Sequence, residues 1–213
     1  MLRKYAILFG ISSSLLLLLI ATLHYPGGSQ HDKNAIGFDW KNNYLTNLFA
    51  EKAVNGSANE ARLWAIIGMF FLCVSLALFF IKFSKKIPQK GAANIIRYCG
   101  VGAMPFAFLA VTPYHDIMII IAITPALISI FYCTVFIVKS KLYLATTLSI
   151  VYLLFFYSSN FIYYTNTYVE FLPIFQKATL ALTIIWTLSL EYFTKREDFQ
   201  DIKAAQSTEV TNR

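Results

Sequence analysis

The chain has 213 residues, 57% of them hydrophobic and 14% charged, with a mean hydropathy of +0.57. That is more apolar side chain than one water-facing core of this size can bury, which excludes an ordinary soluble domain. The formal charge of +7 lies in the segments between apolar runs rather than along one stripe, so it is an orientation signal and no nucleic-acid partner is expected.

Six unbroken apolar runs follow one another, at 5–23, 63–83, 95–111, 117–138, 142–162 and 174–192. Each is close to the 17–25 residues that a helix needs to cross about 30 Å of hydrocarbon, and none alternates as a barrel strand would. The expected fold class is an all-α integral membrane protein, a single six-transmembrane-helix bundle over 1–213 with a polar cytoplasmic tail at 193–213. Arg3 and Lys4 precede the first run as in a secretory signal, but Ala21-Thr22-Leu23 is not a small-x-small cleavage site, so the run is read as helix one.

Between the first two runs lies the only segment with room for separate structure, 24–62. Pro26-Gly27-Gly28 turns the chain away from helix one. After Asp39, a candidate N-cap, residues Trp40, Tyr44, Leu45, Leu48 and Phe49 recur at helical spacing. This predicts a short amphipathic helix over 40–49, at the membrane surface or over the bundle mouth. Ser57-Ala58-Asn59-Glu60 has the spacing of a capping box and marks the predicted start of helix two. Asn55-Gly56-Ser57 is a glycosylation sequon, relevant only in a eukaryotic host.

Further along, Pro105 and Pro125 predict kinks in helices three and four, and Gly100, Gly102, Ala103, Ala107 and Ala110 give helix three a small-residue face for close packing. Cys73, Cys99 and Cys133 fall inside predicted helices and read as small packing side chains. Helix six carries Gln176, Thr179, Thr183, Thr187 and Glu191 on one face, either as interhelical hydrogen-bonding groups or as the wall of a ligand or water path. Glu191 precedes Lys195 by one helical turn and is expected to pair with it. No ionisable residue falls near mid-membrane, which argues against a proton- or sodium-coupled transporter.

Thirteen Lys and Arg residues, from Arg3 and Lys4 through the 82–97 and 139–141 segments to Arg213, fall on one side, and five, Lys33, Lys41, Lys52, Arg62 and Lys177, on the other. Both termini are therefore expected in the cytoplasm and the protein in the plasma membrane. The basic 82–90 stretch also suits anionic headgroups, so membrane lipids are expected partners.

The expected outer side holds the unusual polar residues. The candidate ligand-binding set is His24, Tyr25, Asp39, Asn43, His115, Asp116, Asn160 and Gln176. His24, His115 and Asp116 are expected to converge at one site, and as a metal set they would give zinc an open position for a water nucleophile. The chain has no His-x-x-x-His or His-Glu-x-x-His spacing, so no cofactor is the first expectation and zinc the alternative.

His24-Tyr25-Pro26-Gly27-Gly28-Ser29, Phe38-Asp39-Trp40 and Asn43-Tyr44-Leu45-Thr46-Asn47-Leu48, with His115-Asp116, Gln176 and Trp186, resemble the bacterial membrane family domain-of-unknown-function nine-nine-eight, related to the Frag, DRAM and Sfk six-helix proteins. The resemblance spans the whole length and implies a six-helix bundle with a structured first outer loop. The chain departs from it at Thr46-Asn47-Leu48-Phe49, where that family carries Ser-Asp-Leu-Gly, so a role that the resemblance would build on a carboxylate at that place does not carry over. The resemblance supplies no activity. The leading expectation is a non-enzymatic multi-pass protein whose outer face binds a lipid headgroup, a small ligand or a partner protein, including a second copy. A zinc-dependent membrane lipid or amide hydrolase and a small-molecule transporter are the alternatives.

Overall fold

The computed structural model describes residues 2–200, with side chains from Lys4 onward, so most of the expected tail, with Lys203 and Arg213, lies outside the described residues. Six long helices make up the body: α1 (Leu2–Leu23), α2 (Arg62–Ser84), α3 (Lys90–Leu109), α4 (His115–Lys139), α5 (Tyr143–Thr165) and α6 (Leu172–Phe193). All six are long and apolar enough to cross a membrane. Among the described residues there is no strand, only two isolated bridges, Gly27 with Ile36 and Lys52 with Ala58. Helices outrun the apolar stretches at several ends, α3 starting at Lys90 and α5 reaching Thr165, because backbone hydrogen bonding continues past the point where side chains turn polar.

Consecutive helices pack as neighbours, and α6 closes the bundle against α2 and α1. The α1–α2 pair is close enough that a Cβ on Gly10 would displace the Ser75 hydroxyl from its bond to the Phe71 carbonyl. The core is aromatic: Phe79 lies edge-on to Trp186 at 5.3 Å, and Phe83 meets Phe199, which folds back from beyond α6. At this basic end Lys86 donates through Nζ to the carbonyl oxygens of Leu190, Glu191 and Thr194, closing the end of α6 that lacks partners of its own. Burial there pulls the Lys86 amine below its ordinary value. Glu191 does not pair with Lys195 as expected; its Oε1 accepts from Lys82 Nζ of α2 at 2.8 Å.

The 24–61 segment folds over the other end, called here the mouth, and corrects two expectations. The amphipathic helix over 40–49 is absent, replaced by a turn and a single 3-10 helix, Leu45–Phe49. Asparagine and aspartate side chains take the backbone groups that an α-helix would need. The Asp39 carboxylate accepts from the Lys41 and Asn42 amides and from Asn42 Nδ2, while Asn43 Oδ1 accepts from the Asp39 amide. Asn43 Nδ2 donates to the Gly28 carbonyl. Gly28 itself has φ +80° and no room for a Cβ, which would lie 2.4 Å from the Asn55 amide nitrogen. Leu48 is fully buried with Leu18, Tyr25, Ala53, Ala61 and Ala65, so the 3-10 turn packs against the helices.

The capping box is also absent. The α2 N-cap is Ala61, without a side-chain bond. Asn59 turns inward instead and donates through Nδ2 to the carbonyls of Asn47, Leu48 and Ala50 at 3.1, 3.2 and 2.8 Å, while its Oδ1 accepts from the Ala61 amide.

Because Asn42 Nδ2 and two amides stabilise its charged form, the Asp39 carboxyl is held below the usual 3.8. A depressed acid contributes stability above its unfolded pKa and loses it as pH falls through the folded one. Protease cleavage within 24–61 is therefore expected to rise as pH drops below about 4, and Asp39→Asn should flatten that rise; an acid profile unchanged by the substitution would contradict it.

Candidate ligand-binding site

Beneath the 3-10 turn, α4, α5 and α6 leave a cavity of about 380 Å³. Tyr44 and Thr46 roof it. His115, Ile119 and Ile123 of α4, Phe156, Ser159, Asn160 and Tyr163 of α5, and Gln176 and Thr179 of α6 form its walls. The tight turn after α3, with the His115 amide bonded to the Thr112 carbonyl, fixes His115 at the first position of α4. The roof is tied to α6: the Leu45 amide donates to Gln176 Oε1 at 2.7 Å, and Lys177 Nζ donates to the carbonyls of Asn43 and Pro173.

The hydrogen-bond inventory of this cavity is incomplete in a defined way. Asp116 Oδ1 accepts from Tyr163 Oη at 2.6 Å and contacts His115 Nδ1 at 3.1 Å. A carboxylate can only accept, so Nδ1 carries the proton, and in the neutral ring Nε2 is a lone-pair acceptor. That Nε2 is buried and has no partner among the described residues. Asn160 spends its Nδ2 on the Phe156 carbonyl, leaving Oδ1 as an acceptor, and Gln176 spends its Oε1 on Leu45, leaving its amide N–H groups as donors. An orphaned buried acceptor costs about 1–3 kcal/mol, and a turn of the imidazole toward the cavity that His115 lines would bring Nε2 to an occupant offering an O–H or N–H. Among the described residues no Lys or Arg lines the cavity, Lys177 being occupied by two backbone carbonyls.

Two further spaces adjoin it. One, of about 320 Å³, lies beyond Thr46 and His115 and is rimmed by the Arg62–Glu51 ion pair. The other is a half-open apolar chamber of about 220 Å³ between α2, α3, α4, α5 and α6, which shares Ile119, Ile123 and Phe156 with the mouth cavity. None of the described side chains of α1 lines any of these spaces.

Of the residues singled out in the sequence, His115, Asn160 and Gln176 line the mouth cavity and Asp116 orients His115 at its rim. Tyr25, Asp39 and Asn43 build the folded segment over the mouth. Tyr25 is buried, its hydroxyl oxygen accepting from the Val54 amide at 3.0 Å, with its pKa raised by that burial. Asp39 and Asn43 fold the turn. His24 stands apart, stacked on Trp64 with ring centroids 6.3 Å apart, and lines neither cavity that His115 lines. Among the described residues no three His, Cys, Asp or Glu side chains gather as a metal-ligand set. Tyr44, Thr46 and Ser159 carry no sequence cue as wall residues, since each is an isolated hydroxyl. Thr179 does carry one, through the α6 polar stripe, whose Gln176 and Thr179 face the mouth cavity while Thr183 and Thr187 face the chamber.

Comparison of the chain with family models, with curated proteins and with solved structures finds no match.

Proposed function

We propose that the chain is a multi-pass membrane protein of the plasma membrane, with both termini cytoplasmic, whose outward mouth binds an uncharged, hydrogen-bonding small molecule or lipid headgroup. Exposed apolar side chains such as Phe9, Leu144 and Phe193, at 70%, 86% and 83% exposure, support a hydrocarbon surrounding. The excess of Lys and Arg at the end opposite the mouth supports the orientation. The observation that carries the binding reading is the unpartnered, buried Nε2 of His115, a residue that lines a cavity whose remaining polar groups are half satisfied and uncharged.

The test is a thermal-stability titration of the purified full chain with short-chain monoacylglycerols and with glycerol. A ligand at 100 times its Kd adds about 2.7 kcal/mol of stability, which shifts Tm by several degrees. Ser159→Phe fills the cavity without removing any hydrogen bond recorded for Ser159 and should abolish the shift while leaving the ligand-free Tm within about 2 °C. No saturable shift with any probe, or an equal shift in the filled variant, would contradict the reading.

A further inference from the structure

A cavity beneath the mouth needs an explanation of its own. Four alanines, Ala103, Ala107, Ala122 and Ala126, line the apolar chamber, so its volume is written into the sequence rather than left by one misfitting side chain. Protein interiors seldom keep apolar voids larger than a water molecule, because the lining atoms lose their contacts. The chamber and the mouth cavity meet at Ile119, Ile123 and Phe156, and α6 walls both. From Gln176 at the mouth to Thr187 in the chamber, α6 rises about 16 Å, roughly half of a 30 Å hydrocarbon core. The chamber's size, about 220 Å³, falls below that of ordinary small-molecule pockets, which suits one chain and not two.

Resting on the reading of the mouth as a binding site, we propose that its occupant is a single-chain amphiphile with an uncharged hydroxyl or amide head. The head is held by His115, Asn160 and Gln176, and the hydrocarbon chain passes Phe156 into the chamber. The head chemistry follows from the pairing left open at the mouth: His115 Nε2 and Asn160 Oδ1 take donors, Gln176 offers N–H groups, and among the described residues no Lys or Arg lines the cavity to neutralise a phosphate or carboxylate. The chain end follows from continuity of the apolar wall.

Trp186 makes the proposal measurable, because it lines the chamber and is only 1% exposed, out of reach of surrounding lipid. The chain has three tryptophans, and Trp40→Phe with Trp64→Phe leaves Trp186 as the sole emitter. This single-tryptophan chain, in nanodiscs, is titrated with a monoacylglycerol brominated at mid-chain. Saturable loss of at least half the emission is expected, with less loss when the bromines sit near the glycerol. A brominated diacyl phosphatidylcholine in the disc should leave the emission unchanged. The brominated fatty acid and lysophosphatidic acid should require at least tenfold higher concentration.

Ala126→Phe, or Ala107→Leu as the milder filling, should remove the quenching while the probe still raises Tm through the mouth. Saturable stabilisation by the probe without quenching of Trp186 would overturn the chamber proposal and leave the mouth reading standing. Neither stabilisation nor quenching would overturn both. Equal potency of the anionic probes would overturn the uncharged-head assignment.

Discussion

Asn59→Ala is expected to lower the unfolding free energy by about 3 kcal/mol, because one side chain joins four backbone groups, its two N–H groups shared among three carbonyls, and nothing nearby can replace it. Its amide donates to the carbonyls of Asn47, Leu48 and Ala50 and accepts from the Ala61 amide, stapling the 3-10 turn to the start of α2. A net hydrogen bond contributes about 0.5–1.5 kcal/mol, and acceptors stranded in a buried place add a desolvation cost. Asn59 is only 8% exposed and Leu48 is fully buried, so water cannot fully repair the loss. Hydrogen exchange should show the 45–61 amides opening first, with the helices retained. A change below about 1 kcal/mol, or uniform loosening of all six helices, would contradict the role given to Asn59.

Lys82→Met is expected to cost about 2–3 kcal/mol at neutral pH, more than an exposed ion pair would. The Glu191 side chain is 9% exposed, its Oε1 meets Lys82 Nζ at 2.8 Å, and its Oε2 is buried without a partner among the described residues. Removing the cation strands a carboxylate in a poorly hydrated place, where breaking a fully buried pair costs about 3–5 kcal/mol. The lysine is 28% exposed, which reduces that figure. The double variant Lys82→Met with Glu191→Leu should recover most of the loss, since the buried carboxylate goes with its cation and Lys86 keeps its three backbone carbonyls. A double variant no more stable than Lys82→Met would show that the lysine acts through packing instead.

The helices were legible because each is set by its own local run of apolar residues, and a run such as 63–83 can satisfy its backbone in hydrocarbon in only one way. The mouth was legible only in its residue types. Trp40, Tyr44, Leu45 and Leu48 have helical spacing, yet Asp39, Asn42 and Asn43 capture the intervening backbone groups, a competition that periodicity does not weigh. Glu191 had two lysines within reach, and the winner was set by the packing of α2 on α6, which sequence separation hides. His115, Asn160 and Gln176 stood out as polar groups at helix ends, and the bundle gathers them around one space. His24 stood out by the same signal and was taken by Trp64, because a ring at a helix end finds whichever aromatic face the adjoining helix presents. The chamber left only the α6 threonine stripe and scattered alanines as cues, since a void belongs to several helices at once.

Whether the mouth holds one uncharged, hydrogen-bonding ligand can be read from native mass spectrometry of the full chain, purified in a mild detergent and offered a neutral monoacylglycerol alongside phosphatidylglycerol. One retained monoacylglycerol per chain is the expected result at the lowest ligand concentrations, lost in Ser159→Phe. Retention of the anionic lipid in preference, or ligand numbers that rise without a first-site plateau and are identical in both proteins, would contradict it.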